Sequence, residues 1–204
     1  TAVHGADPNW GRVAMAVGKC SDDTDIDQER VVIRFGEQEV FPGAVDDGSG
    51  TLLTTELCLL APTRNPKLTR TDIERELAAQ LGLTRFLWLK HGYLAGDDTD
   101  SHIDTLARLC DPNTIAYVTC DDPSDEHYAE LKAMEAELKT FRTPNGAPYR
   151  LVPLPWPQPK RDTDGARMPA TYANFLIING AVLVPSYRDA ADAVDITYEP
   201  LTPV

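Results

Sequence analysis

The chain contains no long apolar segment. Its apolar runs, such as residues 175–178 and 181–185, are far shorter than the roughly 18 residues that a membrane-spanning helix needs. The first residues include His4, Asp7 and Arg12, so they do not resemble the apolar stretch of a signal peptide. These absences predict a protein without a membrane span and with a cytoplasmic location.

Basic residues are scarce relative to acidic ones. The 204 residues include 19 Lys and Arg against 32 Asp and Glu, which gives a formal net charge of −13. This charge repels polyanions, so we expect neither nucleic acid nor an anionic membrane surface as a partner. A small cation is the partner that the charge of this acidic protein favours.

Cysteines are also few, and none of the four lies in a C-x-x-C pair. The spacing therefore indicates neither a zinc ribbon nor a dithiol redox site, and we expect no bound metal. In a chain of this length we interpret all four as cytosolic thiols rather than as disulfide partners, namely Cys20, Cys58, Cys110 and Cys120.

Beyond a turn-rich boundary at residues 42–50, the chain repeats a strand–helix–strand–strand pattern, and this repetition predicts an α/β fold. Ahead of the boundary, residues 31–35 and 37–41 predict a hairpin. In the first unit, Thr69 and Asp72 form an approximate capping box at the start of a helix that ends at Gly82. The strands that we expect in this unit are residues 51–55, 85–89 and 102–110.

The second unit begins about 63 residues after the first. We expect Asp122 to cap its helix, with Pro123 at the first helical position. Its expected strands are residues 114–119, 149–154, 172–178 and 181–185. Each helix carries an apolar stripe that predicts burial, made of Ile73, Leu77 and Leu81 in the first and of Leu131, Met134 and Leu138 in the second.

The densest polar cluster is GDDTDSHID at residues 96–104, which holds four acidic side chains and one histidine. Carboxylates packed together repel one another unless a cation neutralises them. The cluster is interpreted as a solvated acidic loop, as a calcium loop or as a site for a guanidinium or amine group. A calcium loop is disfavoured because Ile103 and Leu109 stand where it needs Gly and Glu.

The guanidinium interpretation rests on His102 and Asp104. On a strand these two side chains point to the same face. Asp104 would then hold a planar guanidinium through two parallel hydrogen bonds, with His102 beside it as an acid or base. A core histidine with its hydrogen bonds satisfied is the alternative for His102.

Three stretches of sequence carry a family resemblance, at residues 50–82, 87–128 and 169–193. Over about residues 47–193 the chain resembles the agmatine deiminase family. The resemblance implies a pentein-like α/β propeller of repeated ββαβ units, of which these residues would form an incomplete part. It also implies a hydrolase that cleaves a guanidine C–N bond of agmatine, giving N-carbamoylputrescine and ammonia in putrescine and polyamine biosynthesis, without a metal or organic cofactor.

The resemblance assigns roles to the residues of the acidic cluster. His102 would be the acid/base catalyst and Asp104 a guanidinium ligand, while Asp98 and Asp100 would support substrate binding electrostatically. Asn174, which we expect to share a strand face with Tyr172, is a further candidate for substrate binding. In the Pro-rich loop at residues 155–169, Trp156 is predicted either to cover a pocket or to anchor the loop.

The family's nucleophile is a cysteine in a Gly-rich segment that has no counterpart after Ala193. We interpret Cys110 and Cys120 as core thiols rather than as replacements for it. A module that binds agmatine or a partner chain without turnover is therefore an alternative function. Two or three propeller units cannot close a ring, and open sheet edges favour association, so a homo-oligomer is expected.

Residues 1–45 and 46–204 are predicted to be separate domains. The sequence GADPNWGR at residues 5–12 and the stretch that follows resemble the glutamate N-acetyltransferase (ornithine acetyltransferase) family of arginine biosynthesis. Acetyl transfer is therefore a further alternative function. Thr1 does not match the threonine nucleophile of that family, so no catalytic residue is carried over.

Overall fold

The computed structural model describes residues 33–35, 38–41, 50–63, 65–97, 101–178 and 181–193. Over these residues the chain is an α/β protein with both parallel and antiparallel strand pairs. The predicted α/β class is thereby confirmed. The predicted hairpin near the start is present as β1 (Ile33–Phe35) and β2 (Gln38–Phe41), which pair antiparallel.

The first helical unit is a strand–helix–strand crossover. Strand β3 (Thr51–Thr55) leads through a short helix α1 (Glu56–Leu59) into helix α2 (Arg70–Leu81). The chain then returns as β4 (Arg85–Leu89), which pairs parallel with β3. A parallel pair needs such a long connection because the chain must return to the end of the sheet where the first strand began before the second strand can run in the same direction.

The caps predicted for α2 are present. The Thr69 hydroxyl accepts the backbone N–H of Asp72, and the Asp72 carboxylate accepts the backbone N–H of Thr69. Gly82 ends the helix at a φ of +68°, which a residue without a Cβ adopts at little cost. The stripe is less buried than predicted, since Ile73 is buried whereas Leu81 is 38% exposed.

The second unit contains a strand–strand–helix–strand arrangement. Strand β5 (Ala107–Asp111) pairs antiparallel with β6 (Thr114–Val118). Helix α3 (Tyr128–Leu138) then connects β6 to β7 (Arg150–Leu154), which lies parallel to it. The described chain continues with an antiparallel pair, β8 (Leu176–Ile178) and β9 (Ala181–Leu183), and with a 3₁₀ helix at Ala190–Ala193.

The apolar core is built around β6 and α3. All five residues of β6 are buried. The stripe predicted for α3 is confirmed, because Leu131, Met134 and Leu138 are at most 1% exposed. Leu94 and Leu106, from segments outside the strands, complete this core. The core thus fixes the position of α3 relative to the loops that surround it.

Two predicted element boundaries are wrong because side chains bind the local backbone. Helix α3 begins at Tyr128 and not after Asp122, whose carboxylate accepts the N–H and hydroxyl of Ser124 in a turn. Residues 172–174 are a bend, before which the Thr171 hydroxyl accepts the N–H of Ala173, so β8 begins only at Leu176.

We predict that the Leu131→Ala variant loses about 2–5 kcal/mol of unfolding free energy, because it removes a fully buried side chain and leaves a cavity. The matched Leu81→Ala variant, at the 38% exposed end of α2, should stay within about 0.5 kcal/mol of the unmodified protein. Urea unfolding measures both. Equal losses in the two variants would contradict the placement of the core.

Candidate active site

Loops that follow the parallel strands meet at one edge of the α/β units. Residues 90–97 follow β4, residues 119–127 follow β6 and residues 155–170 follow β7. Hydrogen bonds join the first of these loops to the second, and the second to the third. Ligand sites of open α/β sheets form at the carboxyl ends of strands, which makes this edge the candidate active site.

Residues 90–97 leave β4 and are held by carboxylates of α3. Glu137 accepts the backbone N–H groups of Lys90 and His91, at 3.0 and 2.9 Å. About two helical turns earlier on α3, the Glu130 carboxylate lies 3.2 Å from Nδ1 of His91. Helix side chains thus take the place that a neighbouring strand would have for this part of the backbone.

His127, immediately before α3, holds the same loop from its other end and is 2% exposed. Its Nε2 accepts the backbone N–H of Ala95 at 2.8 Å. Nδ1 therefore carries the proton and donates it to Asp125 at 2.6 Å, so the imidazole is the neutral tautomer. The ring contacts those of Tyr93 and Trp156, at centroid distances of 5.8 and 5.1 Å.

Asp125 joins His127 to the loop after β7. Its carboxylate accepts the backbone N–H of His127, the indole N–H of Trp156 and the guanidinium of Arg167, at 3.0, 3.2 and 3.3 Å. Burial disfavours its charge, yet the hydrogen bonds from His127 and then that from Trp156 hold the pKa of Asp125 well below its usual range. Trp156 therefore anchors its loop, which is one of the two roles predicted for it.

Gly96 brings the loop after β4 into contact with the backbone of the loop after β7. Its φ is +84°, and a Cβ placed there would lie 2.1 Å from the carbonyl oxygen of Arg167. Only glycine combines this conformation with so close an approach. The backbones of the two loops are therefore in direct contact at the position where the acidic cluster begins.

His102 and Asp104 lie in a tight turn and not in a strand, which corrects the prediction for residues 102–110. His102 precedes a 3₁₀ turn at Ile103–Thr105, and its carbonyl accepts both the backbone N–H and the hydroxyl of Thr105. Both predicted catalytic side chains are half-buried. Strand alternation does not relate residues of such a turn, so their placement on a common strand face is wrong.

This turn is tied to its neighbours on both sides. The Thr55 hydroxyl, at the end of β3, donates to the carbonyl of Ser101 at 2.8 Å. Ser101 has a φ of +53°, an uncommon conformation for a residue with a Cβ. After the turn, the carbonyl of Thr105 accepts the hydroxyl of Thr171 at 2.9 Å. The residues around Asn174 are thereby held beside the turn that carries Asp104.

The remaining predicted binding residues are Asp98, Asp100 and Asn174. Asp98 and Asp100 lie outside the described residues. Asn174 is exposed, whereas Tyr172 is buried and donates its hydroxyl to Asp192 at 2.6 Å. The expectation that Tyr172 and Asn174 share one strand face is therefore wrong, because the bend turns them to different surroundings.

The thiols nearest in sequence to the turn are poor nucleophiles. Burial raises the pKa of the Cys110 thiol and that of the Cys120 thiol, so both stay protonated near neutral pH. Both are interpreted as core thiols, and their surroundings fit that interpretation. Among the described residues, no group of three or more His, Cys, Asp or Glu side chains is arranged to hold a metal ion.

No helix within the described part of the chain has the length and apolar character needed to cross a membrane.

Sequence reasoning missed the Asp125–His127 pair. The only local signal is the Asp-x-His spacing directly before α3, and the same residues also suit a helix start. Their partners Ala95 and Trp156 lie 32 and 31 positions away along the chain, which no local pattern reports.

Comparisons with known proteins identify the family of this chain. The sequence profile of the Porphyromonas-type peptidyl-arginine deiminase family matches residues 20–199, and the chain belongs to this family. A provisionally named agmatine deiminase of Vibrio parahaemolyticus is 36% identical over 206 residues, which cover 92% of this chain and 55% of the relative. The agmatine deiminase of Pseudomonas fluorescens (strain Pf-5) is 34% identical, with 72% and 44% covered.

A solved structure is similar in fold as well. A Cys-to-Ser variant of C. jejuni agmatine deiminase with substrate bound superposes with a TM-score of 0.66 and 46% identity, over 72% of this chain and 42% of that one. The chain spans about half the length of the curated relatives it matches. The family profile begins at Cys20, inside the segment that resembles an acetyltransferase, and that second resemblance stays a prediction.

We predict that the Gly96→Ala variant is much less stable than Gly146→Ala. Both glycines have a φ near +85°, so each substitution costs about 1–2 kcal/mol in backbone strain. Only Gly96 faces a backbone clash, which adds about 1–3 kcal/mol, because no atom approaches a Cβ at Gly146 within 4 Å. Urea unfolding compares the two variants. Equal stability would show that the two loops do not touch at Gly96.

Proposed function

We propose that this chain binds the guanidinium group of agmatine and belongs to an enzyme that hydrolyses it to N-carbamoylputrescine and ammonia. The observation that carries the proposal is the family match over residues 20–199, which includes the His-x-Asp pair at the loop-lined edge. The formal charge of −13 favours a small cationic substrate over an anionic one.

Asp104 is the proposed guanidinium ligand. A carboxylate and a guanidinium form two parallel charge-assisted hydrogen bonds, and a half-buried position limits the competition from water. Asp98 and Asp100 are proposed to add negative potential around the cation, and Asn174 is proposed to contact the substrate from the neighbouring bend. The hydrogen bond between Thr171 and Thr105 supports the assignment of Asn174, because it holds that bend beside the turn.

His102 is the proposed acid/base catalyst. In the reaction that the family resemblance implies, a cysteine thiolate attacks the guanidinium carbon and forms a C–S bond. The C–N bond then breaks, and His102 protonates the departing ammonia. Water hydrolyses the remaining thiouronium, which releases N-carbamoylputrescine and restores the thiol. A partial propeller of ββαβ units, a homo-oligomer, a cytoplasmic location and a role in putrescine biosynthesis belong to the same proposal.

A binding module without turnover is the second candidate. It is favoured by the raised pKa of the Cys110 and Cys120 thiols, which leaves neither of them ready to attack a carbon near neutral pH. The acetyltransferase resemblance of residues 1–45 remains a third interpretation, with no catalytic residue assigned to it.

We predict that the Asp104→Asn variant binds agmatine roughly 10- to 100-fold more weakly, because one charge-assisted pair is lost. Isothermal calorimetry near neutral pH measures the affinity. Glu76→Gln is the matched control, since it removes the same charge from a side chain on α2 that is 57% exposed. Equal affinities of Asp104→Asn and the control would contradict the assignment of Asp104.

We also predict that ammonia release from agmatine by the purified chain requires His102, so that the His102→Ala variant shows none. Release that persists in His102→Ala would contradict its role as the acid/base catalyst. Agmatine binding without release in the unmodified chain would favour the binding module over the hydrolase.

A further inference from the structure

The loop at residues 90–97 lies between α3 and the turn that carries the proposed catalytic pair. A Cβ added at Gly92 would meet the Leu106 side chain at 2.8 Å and the Met134 sulfur at 3.0 Å. Leu106 directly follows the 3₁₀ turn at Ile103–Thr105, and its backbone N–H donates to the carbonyl of Ile103. The position of the loop is therefore transmitted by contact to the turn.

The loop at residues 90–97 is held by side chains of α3 and of the residue directly before it. Glu137 holds its first residues and His127 holds Ala95, close to the acidic cluster. The His127 anchor is the buried one, because His127 and Ala95 are 2% and 7% exposed. A buried hydrogen bond has no competing water, so its loss leaves the Ala95 N–H without a ready replacement.

The Asp125 carboxylate decides which imidazole nitrogen accepts this bond. By accepting Nδ1–H of His127 at 2.6 Å, it keeps Nε2 unprotonated and aimed at Ala95. The same carboxylate holds Trp156 and Arg167, so the loop after β7 is positioned by the same group.

We infer that His127, oriented by Asp125, is a positioning residue for the guanidinium site: through Ala95 it holds the loop against which the His102–Asp104 turn packs. This inference rests on the proposed function for its consequence in substrate binding. Its structural part, the fixing of residues 92–97 by His127, does not depend on what the site binds.

Two variants of the full chain separate positioning from simple loss of a buried histidine. In His127→Asn the shorter amide still reaches Asp125 but not Ala95, because Asn reproduces the place of Nδ1. In His127→Gln the longer amide presents an oxygen close to the place of Nε2, so it preserves the acceptor for Ala95. Thr143→Val is a control for general destabilisation, since Thr143 is 2% exposed and bonds Ala147 in a separate turn.

Hydrogen exchange of the peptide containing Ala95 is the first readout and needs no ligand. We expect exchange in residues 92–97 to rise at least tenfold in His127→Asn and to stay within threefold of the unmodified chain in His127→Gln and Thr143→Val. Equal exchange in His127→Asn and His127→Gln would overturn the inference.

Agmatine affinity, measured by calorimetry, is the second readout. We expect His127→Asn to bind at least tenfold more weakly than His127→Gln, and Thr143→Val to bind normally. Equal affinities of the two His127 variants would overturn the role of His127 in the site. If the unmodified chain binds no agmatine, the proposed function fails, and the exchange data alone decide whether His127 positions the loop.

Discussion

A backbone amide removed from water needs an acceptor, and this requirement organises the loop-lined edge. After β4, residues 90–97 run beside a helix, and the buried N–H of Ala95 takes its acceptor from His127, directly before α3. The exposed N–H groups of Lys90 and His91 take theirs from Glu137 on α3. Helix α3 of the second unit thereby holds the loop that follows β4 of the first unit. Because that helix is fixed by a buried apolar stripe, the hydrophobic core indirectly sets the position of the loop.

Charge and rigidity are divided between two groups of residues at this edge. His127 is buried, the Asp125 side chain is 9% exposed, and both bind protein partners, so they contribute fixed geometry. His102 and Asp104 are half-buried in a turn that is tied on both sides, which leaves their side chains the access that a small cation would need. A binding site requires both groups, since a carboxylate binds a planar guanidinium in two places only when its own position is fixed.

Features that depend on near neighbours in sequence were predictable. The capping box of Thr69 and Asp72 and the buried stripe of α3 follow from spacings of three and four residues, and both are present. The strand predicted for residues 102–110 begins only at Ala107, because Thr105 binds the carbonyl of His102, a local competition that strand patterning does not report. The Asp125–His127 network escaped prediction because its partners come from loops more than 30 residues away.

A crystal structure of the chain with agmatine would test the central claim most directly, which is that this edge binds a guanidinium group. We expect both guanidinium nitrogens that face Asp104 to lie about 2.7–2.9 Å from its carboxylate oxygens. His102 should lie beside the guanidinium carbon, with the loop at residues 90–97 in the position described here. Agmatine bound elsewhere, with no contact to Asp104, would contradict the account.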